Sequence, residues 1–155
     1  EYYQVTGASE RELRAQLKAL GPERHHALTK WTLSWSYPFA IEGGRCATGP
    51  ITVDVKMTLV FPRWTAPASA PPTLRQKWSA ALAGLQRHED GHREIVLRAA
   101  HDVLQTLGSL PPYTSCNELK QAASTAGHRI LDRSRREHDA YDELTKRGTT
   151  QGAHW

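Results

Sequence analysis

The stretch Arg87-His88-Glu89-Asp90-Gly91-His92-Arg93 constrains this chain more than any other. It lies mid-way along a run that reads as one long amphipathic helix, from Thr73 to about Leu107 with Gly108 as its stop. Advancing about 100° per residue from Leu82, the apolar residues Trp78, Leu85, Val96, Ala99 and Val103 fall between about 260° and 320°. His88 and His92 land at about 240° and 280°, inside that stripe, and Glu89 at about 340°, on its edge. Gln86, Arg87, Asp90, Arg93, Glu94, Arg98 and Gln105 lie off it. The helix therefore turns two imidazoles and a carboxyl group toward its buried side, where polar groups without partners are costly. The H-E-x-x-H spacing stacks both imidazoles one turn apart on one face, where they can share a zinc ion with the glutamate beside it as a base. The bland alternative is a hydrogen-bonded pair of core histidines. The pair, its glutamate and their placement together favour the metal, and Glu89 argues against a purely structural zinc site, which needs no base beside it.

A length of 155 residues suits one domain, 1–155, with a real core. The net charge of +4 is modest, and basic residues are mixed with acids, as in Arg133, Arg135, Arg136 and Glu137. That pattern reads as a solvated helix face and argues against a nucleic-acid partner. No run is long and apolar enough for a membrane span. Cys46 and Cys116 follow turn-like sequence, so a disulfide closing about 70 residues is expected over two buried thiols. A disulfide in turn implies a secreted or periplasmic protein. With Glu1 opening directly in strand-like sequence, a signal peptide already removed is the expectation.

In chain order, residues 1–6 read as a short strand. Ser9 and Glu12 form a capping box that opens a helix with Leu13, Leu17 and Leu20 on one face, backing the sheet. Trp31, Leu33, Trp35, Tyr37, Phe39 and Ile41 alternate with smaller or polar residues as one strand, with Pro38 marking an edge or bulge. Gly43-Gly44 is a turn, and Ile51 to Phe61 alternate as a second strand that Pro62 ends. The two long strands should pair antiparallel. Ala66 to Pro72 is a linker, and Thr73 with Gln76 a second capping box that opens the motif helix. Gly84 and Gly91 lie inside that helix at about 1 kcal/mol each against alanine, and Gly91 invites a close approach beside the candidate ligands. A last helix runs from about Asn117 to Thr145, with Leu119, Ala123, Ala126, Ile130, Tyr141 and Leu144 as its apolar stripe. Residues 148–155 read as an irregular tail.

This order of strand, helix, strands, motif helix and further helix is that of zincin metallopeptidases. Further stretches resemble one group, a family of bacterial secreted proteins predicted to be zinc-dependent proteases. They are Trp31 to Tyr37, Gly43-Gly44-Arg45-Cys46, Phe61-Pro62-Arg63-Trp64, His88 to His92, Cys116, and Tyr141 through Ala153. The resemblance implies an α+β zincin-like fold: a small antiparallel or mixed twisted sheet packed on the long motif helix, with a backing helix and a C-terminal helix. It also implies zinc as cofactor and a protein or peptide as substrate. The family's tail pattern, Tyr-Asp-x-x-Thr-x-His-Gly, carries a histidine suited to be the third zinc ligand. Here that position is Arg147, and a guanidinium cannot coordinate zinc.

His138, one turn before Tyr141, is the first replacement, with Glu137 and His154 as alternatives and His101 a weaker one. His25, His26 and His128 show no ligand spacing to the motif. The expected activity is peptide hydrolysis through a zinc-bound water activated by Glu89. The resemblance places Tyr141 near the site, where it is the candidate oxyanion donor, with a core tyrosine as the alternative. Asp142, with Arg147, is a candidate outer partner of the ligands, with an exposed helix aspartate as the alternative. Arg147 also motivates the opposite expectation, a catalytically silent zincin-like domain that binds a protein or peptide. The oligomeric state is not legible.

Overall fold

The computed structural model describes all 155 residues. In chain order the elements are β1 (Tyr2–Val5), α1 (Glu10–Leu20), β2 (Leu28–Ser36), β3 (Phe39–Glu42), β4 (Arg45–Thr48), β5 (Thr52–Trp64), α2 (Pro72–Gly108) and α3 (Cys116–Thr145). The class is α+β. A small mixed sheet runs in the order β1-β5-β2, with β1 parallel to β5, and β3 and β4 form a separate two-stranded sheet. No helix is long and apolar enough to cross a membrane.

The backbone packs as two compact units. Residues 1–30, 57–93 and 140–155 form the first, and 31–56 with 94–139 the second. Each has its own core. In the first, Val5, Leu13, Leu17, Leu74 and Trp78 pack together with Tyr3, Trp64 and Trp155 against them, and Ala27, Leu85 and Ala153 gather beside Phe61. In the second, Ala99, Val103, Leu107, Ala123 and Ile130 meet Leu33, Trp35, Ile51 and Val53.

Local chemistry explains where the elements begin and end. The Ser9 hydroxyl accepts from the Glu12 amide at 3.3 Å, and the Glu12 carboxylate accepts from the Ala8 amide at 2.7 Å. The α1 capping box thus forms with its return bond one residue early. The Thr73 box does not open α2. That helix begins at Pro72, a residue suited to the first helical position, and the Pro71 carbonyl accepts from Leu74 and Arg75.

The alternating run Trp31 to Ile41 is not one strand. β2 stops at Ser36, and Pro38, with no N–H to give, separates it from β3. β3 folds back on β4 through Gly43 and Gly44, at φ 55° and 77°, as a two-residue left-handed turn requires. Cys46 is therefore a buried strand residue, not a loop residue.

Pro62 does not end β5, which continues to Trp64. The amides of Phe61 and Thr65 reach β1 through the carbonyls of Glu1 and Val5. Pro62 sits at the alternate position, whose missing N–H the β1 ladder does not use. On α3, Leu144 is 79 % exposed and so falls outside the apolar stripe.

A disulfide joins Cys46 to Cys116, 70 residues apart, and the Cys46 and Tyr113 backbones exchange two 2.8 Å hydrogen bonds beside it. Reduction is expected to destabilise the chain by about 4 kcal/mol on the loop-entropy account. Denaturant unfolding with and without reductant measures this. Coincident curves would show that the reduced chain is already held by its packing.

Candidate metal centre

α2 and the end of α3 bring three donor atoms together in the first unit. His88 Nε2 and His92 Nε2 lie 3.3 Å apart, and Asp142 Oδ1 lies 3.1 Å from each. Four-residue spacing puts the two imidazoles one turn apart, and Asp142 arrives from α3 to close the triangle. This group can hold a metal ion. A tetrahedral zinc site with bonds of about 2.0–2.1 Å has donor-to-donor edges of about 3.3–3.4 Å, so these three atoms form nearly one face of it. The Asp142 oxygen meets the same ring nitrogens that face each other. It therefore stands where a ligand stands, not behind a ligand as an outer acceptor would. Side-chain exposure rises from 7 % at His88 and 12 % at His92 to 33 % at Asp142, so the triangle opens to solvent on its carboxylate side.

The third member is thus Asp142 and not His138. The His138 ring stacks on Trp31 at 5.4 Å between centroids and is not one of the converging donors. Glu137 pairs with Arg98 at 3.3 Å, and His101 and His154 are exposed. Arg147 is exposed as well. Its backbone, at φ 51°, donates its N–H to the Asp142 carbonyl at 2.8 Å.

Glu89 is buried at 3 % exposure, and the Thr29 hydroxyl donates to its Oε2 at 2.7 Å. Burial raises the Glu89 carboxyl above the ordinary carboxylate value. Hydrogen bonds from Thr29 and the charge of His88 offset part of this, while the charge of Asp142 adds to it. A carboxyl with a raised value is a better proton acceptor once ionised. Folding holds its proton more tightly than the unfolded chain does. Its contribution to stability is therefore fullest at acid pH and is lost as pH rises through the raised value. In metal-free protein, Glu89→Gln is expected to raise the thermal midpoint at pH 7, because the amide carries no charge to bury. The gain should vanish near pH 4. A gain that persisted there would assign the effect to packing.

Tyr141 lies over both imidazoles, stacked on His88 at 5.1 Å and edge-on to His92 at 5.0 Å. Gly91 makes room for it, because a Cβ there would sit 2.1 Å from the Tyr141 hydroxyl oxygen. In an open helix Gly91→Ala would stabilise by about 1 kcal/mol. Here it is expected to destabilise by about 1–3 kcal/mol and to weaken metal binding, since the phenol must swing against His88. Thermal melts and a zinc titration check both. A more stable variant with unchanged zinc affinity would contradict the close packing.

Three residues of this site had no role assigned from the sequence, although Thr145 and Gln151 lie in the tail that carries the resemblance. Thr29 clamps Glu89. Gln151 Oε1 and Thr145 Oγ1 stand 3.1 and 3.3 Å from His88 Nδ1. All are polar residues 57 to 63 positions away from their partners, beyond any helical or strand period.

The fold and site thus define a small α+β protein with a candidate centre of two histidines and an aspartate beside a buried glutamate. The chain belongs to a family described as a bacterial protein of unknown function, DUF922, whose profile matches residues 1–149. Neither the curated proteins nor the solved structures contain a match to it.

Proposed function

We propose that the protein is a zinc-dependent peptidase of zincin type. The observation that carries this reading is the convergence of three metal-type donors directly beside a buried carboxyl group held by Thr29. His88, His92 and Asp142 would hold the ion. Zinc, when bound, supplies Lewis-acid polarisation of a carbonyl and lowers the pKa of water. The chain's own groups do the rest. Glu89 accepts a proton from the attacking water and returns it to the leaving nitrogen. The Tyr141 hydroxyl donates to the oxygen that gains negative charge. β2 is an edge strand of its sheet and carries Thr29 against Glu89, so an extended peptide can add to that edge past the base. The disulfide suits an extracellular or periplasmic setting.

Loading the protein with one equivalent of zinc and incubating it with an unstructured protein such as casein tests the reading. Cleavage that chelation stops and added zinc restores is the expected result. Zinc bound with no cleavage of any unstructured substrate would favour the second reading, a silent domain that binds a peptide or protein. Arg147, at the position where the resemblance expects a histidine, is the observation that favours that second reading.

A further inference from the structure

Two consecutive non-glycine residues, Lys146 and Arg147, hold left-handed backbone at φ 49° and 51°, followed by Gly148 at 79°. A side chain disfavours that conformation at each of the first two. A helix can stop without such strain. Here the turn lays residues 148–153 directly on α2. Gly148 packs so close that a Cβ would sit 3.0 Å from the His88 side chain. A Cβ on Gly84 would meet the Ala153 backbone nitrogen at 2.3 Å. The Arg87 guanidinium donates to the Gln151 carbonyl at 2.6 Å, and Trp155 packs on Trp78 at 5.4 Å. The strap is thereby pinned on both sides of Gln151.

Gln151 joins two residues of the site. Its Oε1 faces His88 Nδ1 at 3.1 Å, and its Nε2 donates to the Tyr141 hydroxyl at 2.9 Å. Counting protons fixes the direction of this chain. Thr145 has one hydroxyl proton, which goes to the Tyr141 carbonyl at 2.7 Å, so toward His88 Nδ1 it can only accept. Gln151 Oε1 can only accept as well. The proton between them and the ring therefore sits on His88 Nδ1, and in the neutral ring the His88 lone pair is on Nε2, which faces His92 and Asp142. At the other end the Tyr141 oxygen has accepted from Gln151 and retains its own proton to give.

We propose that Gln151 is the positioning residue of this site: it holds His88 with its lone pair toward the metal donors and leaves the Tyr141 hydroxyl as a donor to a negative oxygen. The second half rests on the peptidase reading and the first does not. Gln151→Glu keeps an acceptor for His88 Nδ1 but its carboxylate also takes the Tyr141 proton. Gln151→Ala removes both bonds.

Nitrogen-15 multiple-bond correlation spectra of metal-free wild type at pH 9 read the His88 tautomer without any variant, and a proton on Nδ1 is expected. Competition with a chromophoric chelator then reads zinc affinity. Gln151→Ala should weaken it about 10–100-fold, the usual effect of losing an outer hydrogen-bond partner, and Gln151→Glu should stay within about threefold of wild type. Casein cleavage by Gln151→Glu should fall as far as in Tyr141→Phe. A His88 proton on Nε2, wild-type zinc affinity in Gln151→Ala, or equal weakening in both variants would overturn the proposal. If wild type takes up no zinc, the peptidase reading fails and the tautomer alone decides the role of Gln151.

Discussion

Glu89→Gln is expected to lower peptide hydrolysis by about 10²–10⁴-fold, the range that a positioned proton acceptor contributes, while zinc affinity stays within about threefold. The amide has nearly the shape of the carboxyl group and can still accept from Thr29 Oγ1, which lies 2.7 Å from Glu89 Oε2. Folding and the three donor atoms are left in place, and only the ability to take a proton is removed. Initial rates on casein with matched zinc occupancy measure it. Equal rates in variant and wild type would remove Glu89 from the reaction. Loss of zinc together with rate would make it part of the metal's hold and not a base.

Asp142→Asn carries the second large effect, on the metal itself. The carboxylate oxygen sits 3.1 Å from both Nε2 atoms, and an amide oxygen there brings neither the charge nor the strength of that donor. Zinc affinity should fall by more than the roughly 10–100-fold that outer partners contribute, so at least about 10³-fold. Arg147→His and His138→Ala should each leave it within about threefold. Chelator competition on the three variants reads this directly. Full affinity in Asp142→Asn, or tenfold tighter binding in Arg147→His, would restore the tail position as the ligand and make the arginine a true loss.

The helical period placed His88, Glu89 and His92 on the inner face of α2, and all three are buried or nearly so. That much was legible because residues little more than one turn apart on one helix obey one geometry. The paired cysteines were legible for the same kind of reason, as two residues with few chemical alternatives. Pro38 read as an edge or bulge within one strand, whereas it divides the run, because β3 turns back on β4 through the left-handed Gly43 and Gly44. Asp142 was visible only as an outer acceptor. Its arrival between the two imidazoles depends on where the end of α3 docks, 50 residues away, and no local pattern encodes that distance. Gly91 was the nearest thing to a signal. A glycine that weakens a helix beside candidate ligands must admit something, and what it admits is the Tyr141 ring. The tail read as irregular because its order comes from contacts with α2 and Trp78, not from its own periodicity.

The most direct test is a crystal grown with zinc and measured on both sides of the zinc absorption edge. One anomalous peak, about 2.0–2.2 Å from His88 Nε2, His92 Nε2 and an Asp142 oxygen, is the predicted result. A map with no peak at that triangle, or with a peak coordinated by His138 in place of Asp142, would contradict the assignment of the metal centre.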